Sequence, residues 1–170
     1  MKITELIKEF GLIEEEDLRE RCISVWERAL KEHRIKAEDL KKNSFCSDVP
    51  FDVVNLVAHI RAVAQTAAHL ADTYEHLYGV KVKKDVLLAG ALLHDVGKLD
   101  ERENPLLEHS LSSVLRAKDA GIKEDVLHTI AFHSETSAAK RRSVEAELLY
   151  FADFVHYRPL LRLEEKQKKS

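Results

Sequence analysis

Residues that make tight turns are rare in this chain. Five glycines and three prolines are spread over 170 residues. A β-sandwich or β-barrel joins many short strands through tight turns and needs more of both residues. The sequence therefore predicts an all-α fold with long helices. Since 45% of the residues are hydrophobic, the chain can close a single hydrophobic core, and we expect one ordered domain.

Charge and cysteine content disfavour several classes of protein. The 27 Lys and Arg residues against 30 Asp and Glu leave a net charge of −3, which disfavours electrostatic binding of nucleic acid or of an anionic membrane. Cys22 and Cys46 are too isolated to predict a disulfide framework or a cysteine zinc site. The first residues lack the apolar core of an export signal, and the longest uncharged apolar run, 86–93, is far short of the roughly 20 residues that span a bilayer. We expect a soluble, cytoplasmic protein.

Apolar residues recur at helical spacing along most of the chain. Gly90 lies in a segment that is apolar nearly all round, which predicts a close crossing with another helix. Residues 43–50 form a polar linker. Helices are expected over residues 3–10, 14–33, 36–42, 51–78, 84–93, 105–120, 123–132 and 143–157.

We divide the chain into three parts. Residues 1–50 are predicted to form a helical extension packed on the rest, because two or three short helices hardly bury their own apolar faces alone. Residues 51–158 are expected to form the main domain, and residues 159–170 a polar C-terminal tail.

Ionisable side chains lie where the most apolar predicted helix ends, at His94 and Asp95. Burying a bare carboxylate is costly, and a metal ion accepts both an imidazole nitrogen and a carboxylate oxygen. Helical bundles commonly build metal centres from side chains on facing helices. Six ligands exceed the needs of one four-coordinate zinc, whereas two metal ions bridged by Asp95 would use all six. The other candidate ligands, each on a different predicted helix, are His59, His109, His133 and Asp153.

The order of these residues resembles that of the HD superfamily of metal-dependent phosphohydrolases, over residues 51–158. The family's HDxGK form is present as HDVGK at 94–98, the stretch HIRAVAQTA follows the first histidine, and an ADF string surrounds the last aspartate. The resemblance implies a helical bundle of the HD-domain type, to which residues 1–50 add N-terminal helices. The first fifty residues match no family that we can name.

The resemblance also implies the ligand sets. Metal one would take His59, His94, Asp95 and Asp153, and metal two would take Asp95, His109 and His133. This six-ligand pattern is similar to that of HD-type dinucleoside tetraphosphate hydrolases and some cyclic-nucleotide phosphodiesterases, and the chain lacks the GYP motif of cyclic-di-GMP phosphodiesterases. Mixed histidine and carboxylate sites accept Fe, Mn, Co, Ni or Zn. In a one-metal site, His109 and His133 would instead hydrogen-bond substrate or serve only in packing.

The function expected from the resemblance is phosphatase or phosphodiesterase activity on a small, nucleotide-like molecule. A metal-activated hydroxide would attack phosphorus, and Asp95 would bridge the metals and orient the nucleophile. Lys98 would bind the substrate phosphate and stabilise its developing charge. The expected partner is therefore a small-molecule phosphate; no membrane is expected, and the oligomeric state stays open.

Two alternatives remain open. Some HD relatives with six ligands hold two irons and activate O₂, and others are non-catalytic signalling modules that typically lose ligands. Among the remaining histidines, His156 lies one turn after Asp153 and is a candidate to support that ligand or to be a ligand itself. His69, His76 and His128 point away from the predicted ligands on their helices.

Overall fold

The computed structural model describes residues 1–46, 54–134 and 142–167, with side chains to residue 161. In these ranges the chain is helical and has no β-strand, and its extended pairing consists of an isolated antiparallel bridge between Ser44 and Asn55. The all-α prediction is confirmed. The helices, separated by short loops and two 3₁₀ segments, are α1 (Ile3–Leu6), α2 (Glu16–Glu32), α3 (Leu56–Tyr78), α4 (Lys84–Leu93), α5 (Lys98–Glu103), α6 (His109–Asp119), α7 (Glu124–Ala131) and α8 (Val144–Gln167).

Four of the predicted helices are present as α2, α3, α4 and α7. Helices α2, α4 and α7 agree with prediction to within two residues at each end. The start of α3 was wrong: the Asn55 side chain accepts the Ala58 N–H and caps the helix there, while residues 51–53 lie outside the described residues. Gly79 ends α3 as predicted, with a φ of 65° that favours glycine.

The short helix predicted over 36–42 is present as a 3₁₀ helix, Ala37–Lys42. Two further helix predictions were wrong. The helix predicted over 3–10 breaks at Ile7 into α1 and a 3₁₀ helix at Lys8–Leu12. The last helix continues to Gln167 instead of ending at residue 157. It passes through Pro159 because Leu160 and Leu161 still pack against the core.

The helix predicted over 105–120 was also wrong. Helix α5 comes first, and α6 begins only at His109. The Asn104-Pro105 pair belongs to the loop between them: the Asn104 N–H bonds back to Asp100 O, and its side chain accepts the Leu106 N–H. The Asn104-Pro105 pair, predicted to start a helix, therefore marks the end of a helix and the turn that follows it.

Helix α4 lies at the centre of the molecule. It packs against α2, α3, α7 and α8, and its residues from Leu87 to Leu93 are fully buried. Gly90 makes the predicted close crossing: a Cβ there would lie 2.6 Å from Thr129 Cγ2 on α7 and 3.3 Å from Leu149 Cδ2 on α8. The prediction from Gly90 is confirmed.

The first 46 residues pack on the helices that follow. The Trp26 indole on α2 is buried and donates its N–H to Leu92 O at 2.8 Å. At the end of α2, His33 contacts Asp100 at 3.0 Å and Glu103 at 2.9 Å, both on α5. The boundary predicted at residue 50 lies outside the described residues, so the three-part division stays a prediction. In the described part of the chain, no helix is long and apolar enough to cross a membrane.

Candidate metal centre

The turn after α4 places two of the predicted ligands. His94 caps α4, and its own N–H bonds to Gly90 O. The Ser113 hydroxyl on α6 donates to His94 O at 2.7 Å and accepts the Gly97 N–H at 2.8 Å. This buried serine therefore closes the turn 94–97 and ties it to α6, the helix that begins at His109.

One group of ligands faces one oxygen of Asp95. The Nε2 atoms of His59 and His94 lie 3.3 Å apart, and they lie 3.6 and 3.5 Å from Asp95 Oδ2. Asp153 on α8 adds its Oδ1 at 3.0 Å from His59 Nε2 and 4.0 Å from His94 Nε2. Nitrogen and oxygen atoms from α3, α8 and the turn after α4 thus converge on one position.

A second group faces the other oxygen of Asp95. His109 Nε2 lies 3.5 Å from Asp95 Oδ1 and 3.2 Å from His133 Nε2. His109 opens α6, and His133 follows the end of α7. Asp95 is shared, so two three-residue groups capable of holding a metal ion meet at one carboxylate.

The imidazole tautomers suit a bound cation. Nδ1 of His94 lies 2.8 Å from Ala91 O, and Nδ1 of His133 lies 2.6 Å from Ile130 O. A carbonyl oxygen only accepts, so each Nδ1 carries the hydrogen and each Nε2 presents a lone pair to the site. A histidine that donates Nδ1–H to a backbone carbonyl and turns Nε2 into the site is the usual arrangement for metal-bound histidine. The donor set therefore fits a metal ion.

The protonation states of the predicted ligands also fit a bound metal ion. Burial lowers the pKa of His94, and it lowers the pKa of His133 to about 3, so both rings are neutral near pH 7. Burial alone would raise the pKa of Asp95, but Lys98 and the surrounding histidines lower it well below its usual range. Neutral imidazoles beside an ionised carboxylate are the protonation states that metal ligation requires.

A cavity of about 720 Å³ opens above the ligands. Lys98 lines it and holds its ammonium 3.5 Å from Asp95 Oδ1. The aromatic residues and the other charged residues of the cavity wall were not predicted from the sequence. Glu101 and Arg102 follow Lys98 by three and four positions, a spacing that would have placed them beside it had α5 been recognised. The further lining residues include Phe45, Glu101, Arg102, Glu108, Phe154 and Tyr157.

The structure brings all six predicted ligands together, and their role as ligands stays a prediction. His156 is not among them: its Nε2 lies 2.7 Å from the Thr66 hydroxyl on α3. His69 and His76 are exposed. His128 points elsewhere and accepts the Arg142 N–H at 3.1 Å.

Comparison with known proteins gives two matches to report. The family model described as HD domain matches residues 56–158. The dihydroneopterin 2',3'-cyclic phosphate phosphodiesterase of Methanocaldococcus jannaschii is 30% identical over 110 residues, which cover 58% of this chain and 44% of that protein. The match thus spans less than half the length of this curated relative. No solved structure matches the chain significantly.

Proposed function

The chain belongs to the HD domain family, and from this premise we propose that it is a metal-dependent phosphohydrolase. Its substrate is a phosphate ester or anhydride of a small, nucleotide-like molecule. The observation that carries the proposal is the position of Asp95, whose two carboxylate oxygens face two separate groups of imidazole nitrogens. A carboxylate shared in this way is suited to two metal ions, and two-metal sites are common in phosphoryl transfer.

The ligand assignment follows the two groups. His59, His94, Asp95 and Asp153 would hold one metal, and Asp95, His109 and His133 the other. Bound metal ions would supply a water of lowered pKa and positive charge for the phosphoryl oxygens. The metals are divalent ions from the series Fe, Mn, Co, Ni and Zn, since histidine and carboxylate ligands accept each of them.

The residues of the chain have distinct tasks in this reaction. Asp95 stays ionised and orients the nucleophile through its two oxygens, because Lys98 and the histidines stabilise its charge. Lys98 is largely buried and lines the cavity, where its ammonium binds a phosphate oxygen and stabilises negative charge as it develops. The reaction needs no covalent intermediate on the protein.

The relative suggests the first substrates to test. Its printed name describes a phosphodiesterase of dihydroneopterin 2',3'-cyclic phosphate, a cyclic phosphate ester of a compound that contains a ring system. The cavity of about 720 Å³ is of the size that holds a drug-sized ligand. Phe154 and Tyr157 in its wall offer apolar faces to such a ring. We therefore propose cyclic or linear phosphodiesters of nucleotide size as substrates, in preference to O₂-dependent chemistry.

The test compares wild type with Asp95→Asn, loaded with Mn²⁺ or Fe²⁺, on 2',3'-cyclic nucleotides, dinucleotides and nucleoside monophosphates. Asparagine keeps the side-chain volume of Asp95 but loses its charge and one of the two oxygens that face the ligand groups. Turnover should therefore fall at least about 1,000-fold. Asp119→Asn, on the exposed end of α6, is the matched control and should keep wild-type turnover. Near-normal turnover of Asp95→Asn would refute the proposal. O₂ uptake without phosphate release would favour the di-iron oxygenase.

A cytoplasmic location stays part of the proposal. Cys22 and Cys46 form no disulfide with each other, as expected in a reducing compartment. Burial raises the pKa of the Cys22 thiol to about 12, so it is a poor thiolate.

A further inference from the structure

An aromatic ring from the N-terminal region lies against the first metal ligand. The rings of Phe45 and His59 are stacked, with centroids 4.2 Å apart and an angle of 18° between their planes. Phe45 is 2% exposed, and Tyr157 on α8 packs its ring edge-on against it at 6.2 Å. Phe45 thus fills the space between His59 and α8.

Backbone contacts fix Phe45 in this place. Asn43 O accepts the Leu56 N–H at 2.7 Å, and Ser44 pairs with Asn55 in the antiparallel bridge. Asn55 is also the residue that caps α3. Residues 43–45 are therefore attached to the first turn of the helix that carries His59, one turn further along.

His59 lacks the support that two other ligands have. His94 and His133 each donate Nδ1–H to the carbonyl oxygen three residues earlier. The buried Nδ1 of His59 finds no hydrogen-bond partner among the described residues. Since no hydrogen bond holds the far side of this ring, its orientation depends on packing, and Phe45 makes the stacked contact.

We propose that Phe45 is a positioning residue for His59, so that the N-terminal segment completes the first metal position. Phe45 lies outside the segment 56–158 that the family model matches, so the family match does not account for this contact. Phe45 keeps the His59 ring in the plane that points Nε2 towards His94 and Asp153. The inference rests on the proposed metal function.

The test measures metal binding rather than turnover. Metal-free full-length protein is titrated with Mn²⁺ or Co²⁺ by calorimetry, and the visible spectrum of bound Co²⁺ is recorded. Phe45→Leu keeps an apolar side chain but removes the flat face. Loss of the support of a metal-bound histidine typically weakens metal affinity 10- to 100-fold, so we expect roughly a ten-fold loss at one of two sites. The other site, at His109 and His133, should keep its affinity.

Two further variants distinguish a loss of His59 positioning from a general loss of packing in the N-terminal region. Phe10→Leu removes an equally buried aromatic ring from the same N-terminal region and should leave both affinities unchanged. Phe45→Tyr keeps the stacked aromatic face. In contrast to Phe45→Leu, it should keep metal affinity and a Co²⁺ spectrum close to those of the wild type. The inference is overturned if Phe45→Leu binds two ions with wild-type affinity, or if Phe10→Leu loses as much. If wild type itself binds no metal, the proposed function fails instead.

Discussion

At the scale of single residues, His94 and His133 are held by the same device. Each follows the end of a helix and donates its Nδ1–H to the carbonyl oxygen three residues earlier, in the last turn of that helix. The sequence placed both histidines at helix ends. Its apolar pattern could not show which ring nitrogen turns inward, because that depends on the local path of the chain.

The buried histidines predict a pH dependence for the metal-free protein. The pKa of His133 is about 3 in the folded chain and about 6.5 when unfolded. Below pH 6.5 the unfolded chain takes up the proton first, so stability is complete above that pH and falls as the pH drops towards 3. Between pH 7 and 5 we expect His133 to account for a loss of about 2 kcal/mol in the free energy of unfolding by urea.

The matched variants are His133→Asn and His69→Asn. Removing the titrating group at His133 should make the unfolding free energy less dependent on pH, whereas the exposed His69 should not matter. An unchanged pH dependence in His133→Asn would show that this ring is not held neutral by burial.

The position of Lys98 predicts that its replacement slows the reaction. Its ammonium lies 3.5 Å from Asp95 Oδ1 and its side chain is 14% exposed. Lys98→Met should lower kcat about 100-fold, as removal of one stabilising donor does elsewhere, with little change in metal content. Lys123→Met, at a side chain that is 78% exposed, is the control. Steady-state kinetics with elemental analysis check both; full activity of Lys98→Met would remove Lys98 from the mechanism.

At the scale of elements, the turn between α4 and α5 packs directly against α6. A Cβ on Gly97 would overlap His109 O and lie 2.6 Å from Ser113 N, both of them backbone atoms that cannot swing away. The φ of Gly97 is −68°, so the demand is for space and not for an unusual backbone angle.

Gly97→Ala should therefore cost about 3 kcal/mol of unfolding free energy, at the upper end of what overpacking usually costs. Gly11→Ala is the matched control, since a Cβ there meets nothing within 4 Å, and it should change stability by less than about 0.5 kcal/mol. Equal unfolding midpoints for the two variants in urea would contradict this packing.

The predictability of the elements follows from their length. Long periodic segments such as α2 and the fully apolar α4 were recognisable because many residues repeat the same spacing. The six residues of α5 are too few for a period, and Asn104-Pro105 resembles a helix start as closely as a turn. The extension of α8 depends on contacts of Leu160 and Leu161 with the core, which are tertiary.

At the scale of the whole molecule, the candidate site draws on segments far apart in sequence. The six predicted ligands were grouped because their order resembles a family, and the structure brings them together. Phe45 was not identified, because a single aromatic residue in a polar linker carries no periodic signal. Its contact with His59 depends on the bridge between residues 44 and 55. Local pattern thus pointed to the ligands but not to the residue that supports one of them.

The most direct measurement is the metal content of the full chain, purified anaerobically without a histidine tag and without added metal. Elemental analysis, followed by titration of the metal-free protein, should give about two equivalents of Fe, Mn, Co, Ni or Zn per chain, one for each ligand group that shares Asp95. His109→Ala should reduce the value to about one. Wild-type protein that holds no metal, or that saturates at one equivalent in excess metal, would contradict the two-metal site.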